Sequence, residues 1–145
     1  MSIDGAYDDA NIFAKILRGE ASAAKVYEDD HVLAFMDVFP QSRGHTLVVS
    51  KESKARNLLE IEAEPLQHLV LGVQHLARAV RLALRPDGIM VGQFNGAASG
   101  QSVFHLHFHI IPRWTGVALT PHGQGGMADP TELAALAKQI EAMIK

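Results

Sequence analysis

The chain has 145 residues, 48% of them hydrophobic, which is enough to bury one core and too little for two ordinary domains. Thirteen basic and sixteen acidic residues give a formal charge of −3, so neither a nucleic acid nor an anionic membrane is expected as a partner. Cysteine is absent from the sequence, which excludes disulfides, cysteine nucleophiles and cysteine-based zinc sites. Because the sequence shows no signal peptide and no membrane-spanning run, we expect a cytoplasmic protein.

The first predicted elements are a short helix and three strands. Residues 12–17 carry apolar side chains at helical spacing after two aspartates, and Gly19 supplies a stop, which predicts a short helix. Residues 25–38 place a polar turn between two β-prone stretches, which indicates a hairpin. Residues 45–50 are rich in β-branched side chains and predict a third strand.

The second half of the chain contains two further helices and two further strands. Apolar residues recur at steps of three and four over residues 66–84, which predicts the longest helix. Residues 89–94 and 104–112 are interpreted as the fourth and fifth strands. An Asp-Pro start and amphipathic spacing over residues 129–144 predict a helix at the end of the chain.

This order of elements favours one fold class. Strands and helices do not alternate as regular βαβ units, so we expect an α+β fold with a five-stranded antiparallel sheet rather than a doubly wound one. Residues 1–145 are assigned to a single domain. Residues 115–128 carry four glycines and predict a long loop, of which 119–128 is expected to be flexible.

Three histidines at alternate positions form the most informative motif. His105, His107 and His109 alternate with apolar residues, so on a strand they would share one face. Strand residues rise by ~3.3 Å each, which places alternate imidazoles about 6.6 Å apart, within reach of one small ligand. Neutral imidazole attacks electrophiles and charged imidazole donates two hydrogen bonds, which suits a phosphorus centre. The small residues over 96–102 would let backbone N–H groups approach phosphate oxygens.

A metal site is the rival interpretation of the same motif. Two histidines two positions apart on a strand can share a zinc ion, and a third ligand from elsewhere would complete the site of a zinc-dependent hydrolase. The sequence contains no second ligand motif of the H-E-x-x-H kind. This alternative stays open.

The run from His105 to Ile111 resembles the H-φ-H-φ-H-φ-φ signature of the histidine-triad (HIT) superfamily of nucleotide hydrolases and transferases, where φ is apolar. Five other segments are similar to family segments in the same order: Ile12–Ile16, Ala34–Asp37, Arg43–Val49, Asn95 and Gly100–Val103. The resemblance covers residues 11 to about 114. It implies the HIT-like α+β fold, paired into a homodimer through a continuous sheet.

The resemblance also implies roles for the polar residues. His107 is similar to the nucleophile that attacks the α-phosphorus and becomes transiently nucleotidylated, and His109 to a phosphate donor. His105 and His45 resemble the supporting histidines that orient the nucleophile or line the pocket. The resemblance further implies that the α-phosphate and the leaving group are contacted by Gln101, Ser102 and the Gly100 backbone. It implies that Asp37 binds the ribose and that Asn95 contacts the nucleotide.

An apolar pocket for the base is implied at five positions: Ile12, Phe13, Ile16, Phe35 and Val38. Core packing explains such residues equally well, since most apolar side chains on these elements are buried. Asp37 shortly before Pro40 is also typical of a turn.

The implied function is hydrolysis of nucleoside 5′-phosphoramidates or related conjugates, including dinucleoside polyphosphates, through a nucleotidyl intermediate on His107. A purine nucleotide is the expected substrate. The implied reaction requires no cofactor and no metal. The structural zinc of many bacterial relatives is not expected either, because Asn11–Ala14 lacks their Cys-x-x-Cys. The alternative is a nucleotide-binding adaptor whose hydrolysis is incidental and whose biological role is a contact with another protein.

Overall fold

An antiparallel sheet forms the centre of the protein. The computed structural model describes residues 2–121 and 125–144. In this part of the chain five strands follow the order β1-β2-β3-β5-β4. The strands are β1 (Lys25–Glu28), β2 (Val32–Met36), β3 (Thr46–Ser50), β4 (Gly88–Gly92) and β5 (His107–Arg113). The predicted α+β fold with a five-stranded antiparallel sheet is confirmed.

Three α-helices accompany the sheet in the described residues: α1 (Ile12–Leu17), α2 (Ala63–Leu84) and α3 (Pro130–Glu141). Asn11 caps α1 by accepting a hydrogen bond from the backbone N–H of Ala14, so the predicted acidic start lies in the turn before the helix. Asp129 caps α3 in the same way, as its sequence indicates. None of these helices is both long and apolar enough to cross a bilayer.

The two faces of the sheet are covered by different helices. Along β2, Val32, Ala34 and Met36 pack in the core with α2 and α3, while Leu33 and Phe35 pack with α1. This alternation follows from the two-residue period of a strand. All five residues of β2 are therefore buried. The α1 face also carries His107 and His109, which are described below.

The prediction that all three histidines lie on one strand is wrong for His105. Strand β5 begins at His107, and the N–H of Leu106 donates to the carbonyl of Ala55 instead of to a neighbouring strand. Strand β4 likewise ends at Gly92, two residues before the predicted end. These boundaries depend on distant backbone partners, which a local pattern does not contain.

The glycine-rich loop before α3 is only partly described. The predicted flexible segment 119–128 includes residues 122–124, which lie outside the described residues. On either side of them, Thr120 N–H donates to the carbonyl of Gln41 at 2.9 Å and Ala128 N–H to that of Val38 at 2.9 Å. The flexibility of this loop stays a prediction.

Candidate functional site

Two of the three motif histidines lie side by side on the α1 face of the sheet. In the register of β3 and β5, His107 stands opposite Val49 and His109 opposite Leu47. Their ring centroids are 4.9 Å apart, and both residues are buried. The alternation along β5 therefore brings two imidazoles to one place, as the sequence predicts.

The hydrogen bond at Nδ1 of His107 sets the tautomer of this ring. Nδ1 lies 2.7 Å from the backbone carbonyl oxygen of His105. Because a carbonyl only accepts, Nδ1 carries the proton, and Nε2 is the basic nitrogen of the neutral ring. The ring of Phe13 meets His107 edge to face, with centroids 4.8 Å apart. His107 is thus held in the form that can attack an electrophile.

A chain of hydrogen bonds sets the tautomer of His109. The N–H of Gln41 donates to Nδ1 of His45 at 3.0 Å, so the neutral His45 ring carries its proton on Nε2. Nε2 of His45 lies 2.9 Å from Nδ1 of His109, which therefore accepts. The proton of neutral His109 is then on Nε2, where it can be donated. The two adjacent histidines present opposite chemistry, one basic nitrogen and one N–H donor.

Asp37 lies at the end of β2 beside this chain. Its Oδ1 accepts a hydrogen bond from the N–H of Phe39 at 2.8 Å, and its Oδ2 lies 3.4 Å from Nε2 of His45. The carboxylate is buried and also lines the cleft described next. Asp37 therefore stabilises a turn, as its position shortly before Pro40 predicts, and it also lines the cleft.

A cleft of about 560 Å³ opens between α1, the sheet and the loop after Ser102. His107, His109, Asp37 and Ser102 line it. All five positions proposed for a base pocket, Ile12, Phe13, Ile16, Phe35 and Val38, line the same cleft. Six further residues line the cleft without having been predicted from the sequence: Ser22, Ala23, Met36, Phe39, Leu47 and Val103.

One of these missed residues could have been found from the sequence. Leu47 belongs to the alternating pattern of β3 and stands opposite His109. Ser22 and Ala23 lie in the connection between α1 and β1 and carry no local signal. Phe94, which was not predicted to lie near the site, packs against His109 with ring centroids 5.2 Å apart.

Gln101 supports the neighbouring loop instead of lining the cleft. Its Oε1 accepts from the N–H of Gly96 at 2.8 Å. Its Nε2 donates to the carbonyls of Arg56 at 2.7 Å and Val103 at 3.0 Å. These bonds hold together the small-residue loop that precedes the histidines.

Asn95 and Gly100 belong to the same loop and also lie outside the lining of the cleft. Oδ1 of Asn95 accepts from the N–H of Leu58 at 3.0 Å and from the side chain of Gln93 at 2.8 Å. Gly100 has a φ of 106°, a conformation that favours glycine, and it ends a 3₁₀ turn over Ala97–Ser99. Both residues shape the loop that leads to Ser102.

The ring of His105 is directed away from the cleft. Its Nδ1 lies 2.7 Å from the hydroxyl of Tyr7. Burial, with a smaller contribution from His107, lowers the pKa of His105 to about 4, against an opposing contact with the backbone of Ser50. His105 contacts His107 through its backbone carbonyl. The predicted row of three imidazoles is therefore reduced to His107 and His109.

The buried, neutral His105 is expected to make the fold sensitive to acid. An unfolded His105 takes up a proton below its ordinary pKa of 6.5, whereas the folded one does so only near 4. Stability therefore falls as the pH drops through this interval, by up to about 3 kcal/mol. Urea unfolding of wild type and His105→Gln between pH 7 and pH 4 measures it. The variant should lose part of the pH dependence, and identical pH profiles would contradict the assignment.

Three residues at the site offer a set of metal ligands. Donor atoms of Asp37, His45 and His109 all lie within 4.8 Å of one another. Two imidazoles and one carboxylate are a donor set that zinc accepts. A metal at this point would take up Nδ1 or Nε2 atoms that the hydrogen bonds between His45 and His109 now use.

Comparison with known proteins shows which family this chain is similar to. A family model for the HIT domain matches residues 18–116. Protein hit of Bacillus subtilis is 46% identical over 103 residues, which are 71% of this chain and 70% of that protein. A HIT-like protein involved in cell-cycle regulation from Bartonella henselae, whose crystal structure contains an unknown ligand, is 50% identical with a TM-score of 0.90, over 96% of this chain and 99% of that one.

A histidine triad nucleotide-binding protein from Sulfolobus tokodaii is 32% identical with a TM-score of 0.82, over 91% of this chain and 90% of that one. The matched region contains His45, which directly precedes β3, and the two histidines of β5, His107 and His109. The family model, the sequence similarity and the shared architecture agree, and the chain belongs to the HIT family.

Proposed function

We propose that this protein hydrolyses nucleoside 5′-phosphoramidates or related nucleotide conjugates through a covalent nucleotidyl intermediate on His107. The observation that carries the proposal is the pair of tautomers at the site. The hydrogen bond to the carbonyl of His105 keeps the proton of His107 on Nδ1, so that Nε2 is basic. The hydrogen bond from His45 keeps the proton of His109 on Nε2. A nucleophile and a donor to phosphate oxygens then stand 4.9 Å apart, ring centre to ring centre.

The reaction is a double displacement at the α-phosphorus. Nε2 of His107 forms a bond to phosphorus, and the bond from phosphorus to the leaving amine or phosphate breaks, the leaving group taking up a proton. Water then attacks phosphorus, the bond to Nε2 breaks, and a nucleoside monophosphate is released. Ser102, which is exposed and lines the cleft, is placed to pass the proton to the leaving group.

The shape and polarity of the cleft support a nucleotide as ligand. Its wall near α1 is apolar, which suits a flat purine base. Asp37 lies in the same cleft, and a carboxylate can accept hydrogen bonds from two ribose hydroxyls. Nucleotide binding also agrees with the name of the relative from Sulfolobus tokodaii.

The homodimer implied by the family resemblance is part of the proposal. Strand β4 lies at the edge of the sheet and pairs only with β5 among the described residues. Its Met90 and Val91 are exposed. An edge strand with exposed apolar side chains is a natural place for two sheets to join.

A zinc-dependent hydrolase is the second candidate, because donor atoms of Asp37, His45 and His109 lie within 4.8 Å of one another. It predicts that a chelator abolishes activity and that added zinc restores it. The covalent route through His107 needs no metal in the protein. Chelation therefore separates the two candidates.

Intact-protein mass spectrometry tests the covalent route. Wild type and His107→Ala are mixed with an adenosine 5′-phosphoramidate in the presence of a chelator, and the reaction is quenched rapidly without acid. We expect an adenylate-sized mass gain in wild type alone, followed by release of AMP. Neither adduct nor turnover would favour a nucleotide-binding adaptor, and hydrolysis that returns only with zinc would favour the metal enzyme.

A further inference from the structure

A second cluster of imidazoles and carboxylate lies away from the cleft. His31 comes from the turn between β1 and β2, Glu52 follows β3, and His68 is on α2. Nδ1 of His68 lies 2.7 Å from Oε1 of Glu52, and Nδ1 of His31 lies 3.1 Å from Oε2. Helix α2 packs on the face of the sheet opposite to α1, so the cluster is separate from His107.

We propose that His31, Glu52 and His68 bind a divalent transition-metal ion of the zinc class. One donor atom from each residue lies within 4.8 Å of the others. Zinc bonds of about 2.0–2.2 Å in a tetrahedral arrangement place ligand atoms roughly 3.3–3.6 Å apart. The nitrogen-oxygen distances of 2.7 Å and 3.1 Å in the cluster are shorter, so the ligand atoms would separate by less than about 1 Å when the ion binds. Two imidazoles and a carboxylate leave the fourth position to water, and imidazole ligands suit zinc, copper and nickel.

The arrangement of the two rings favours a metal over a simple ion pair. The rings of His31 and His68 lie 3.9 Å apart, centre to centre, with both Nδ1 atoms turned to the same carboxylate. Protonating both rings would place two cations against one anion. Nδ1 of His31 is buried and lacks the alignment of a hydrogen bond to Glu52. One metal ion would satisfy both nitrogen lone pairs and the carboxylate together.

The backbone holds two of the three ligands in place. Oδ1 of Asp29 accepts hydrogen bonds from the N–H groups of His31 at 2.7 Å and Val32 at 2.8 Å, which fixes the turn. The N–H of Lys51 donates to the carbonyl of His31 at 2.8 Å, joining the turn to the residue before Glu52. The N–H of Glu52 in turn donates to Oγ of Ser50 at 3.0 Å.

A glycine lets α2 bring the third ligand close. A Cβ on Gly72 would lie 3.0 Å from Cγ1 and 3.1 Å from Cγ2 of Val32, closer than usual for such contacts, so α2 lies close to β2 at this point. Gly72 lies one helical turn after His68, on the stretch of α2 nearest the hairpin turn. The close approach at Gly72 thus lies next to His68 on α2.

Charge and exposure agree with a metal site open to solvent. The side chains of His31, Glu52 and His68 are 45%, 29% and 26% exposed. The contact with Glu52, aided by Asp29 and Asp30, raises the pKa of His31. The contact with His68, followed by that with His31, lowers the pKa of Glu52.

The neighbouring cation, Lys51, pairs with groups other than the Glu52 carboxylate. Nζ of Lys51 lies 2.6 Å from Oε2 of Glu28 and 2.9 Å from the carbonyl oxygen of Asp29, so its charge is directed away from Glu52. The same acidic surroundings that favour protons on His31 therefore favour a divalent cation. Protons and metal compete for the two imidazoles.

Zinc titration of the full chain, followed by metal analysis after equilibrium dialysis, tests the proposal. At pH 7.5, wild type should bind one zinc ion more than His68→Ala and one more than the isosteric Glu52→Gln. His75→Ala removes an imidazole of the same helix that faces Tyr27, and it should keep the wild-type stoichiometry. Affinity at the cluster should be at least tenfold weaker at pH 5.5 than at pH 7.5, because protons compete with the metal for imidazole nitrogens.

The His109→Ala variant separates the two possible zinc positions. It should retain the zinc ion assigned to the cluster of His31, Glu52 and His68. Equal stoichiometry in wild type, His68→Ala and Glu52→Gln would overturn the proposal. A zinc ion lost from His109→Ala and kept by both cluster variants would overturn it too, since that ion lies in the cleft.

Discussion

His107→Ala should lower the turnover of an adenosine 5′-phosphoramidate by ~10⁴-fold or more, because it removes the nitrogen that forms the covalent intermediate in the proposed reaction. Binding of the product AMP should change little, since the apolar wall of the cleft and Asp37 are untouched. Steady-state kinetics measures the turnover number, and calorimetry measures the affinity for AMP. The expected signature is a loss of kcat with affinity retained.

The matched control for this prediction is His75→Ala. His75 lies on α2, on the other side of the sheet, and packs against Tyr27. Its replacement should leave both turnover and AMP affinity at wild-type values. If His107→Ala kept most of its activity, the nucleophile would be another group, and a metal-activated water at Asp37, His45 and His109 would become the better explanation.

His109→Ala should lower turnover by ~10²- to 10³-fold, the usual effect of removing one donor to a developing oxyanion. His45 has a different role. Its Nε2 lies 2.9 Å from Nδ1 of His109, and its side chain is fully buried. It is a positioning residue, which keeps the proton of His109 on Nε2. His45→Ala should therefore slow turnover through His109 alone.

A double-mutant cycle measures this dependence. If His45 acts through His109, the double variant His45→Ala, His109→Ala should turn over about as slowly as His109→Ala by itself. Thermal unfolding of each variant checks that the fold persists after the loss of buried His45. If the two single substitutions lowered turnover by factors that multiply in the double variant, His45 would contribute independently of His109, and the proposed positioning role would be refuted.

The apolar pattern of the chain was sufficient to predict the elements of the fold. The hairpin over 25–38, the long helix over 66–84 and the capped helix after Asp129 all carry local signals of period and termination. Local signals did not reveal the start of β5, because the N–H of Leu106 bonds to Ala55, which is far away in sequence. Strand ends depend on such partners.

The histidine motif illustrates the same division at the candidate site. Its alternation predicted that His107 and His109 share a face, and the family resemblance pointed to His45 and Asp37. Pattern and resemblance did not show which nitrogen of each ring carries the proton. That depends on the carbonyl of His105 and the N–H of Gln41, whose positions only the folded backbone sets.

By itself, the sequence predicted the α+β class and the order of the elements, because periodicity is a local property, and its motifs carried the resemblance to the HIT family. Tertiary structure decided that Gln101 supports a loop, that His105 turns toward Tyr7, and that His31 and His68 meet at Glu52. Each of these contacts joins residues from separate elements. Hydrogen bonds and ion pairs act over about 3 Å, so they exist only once the chain has folded.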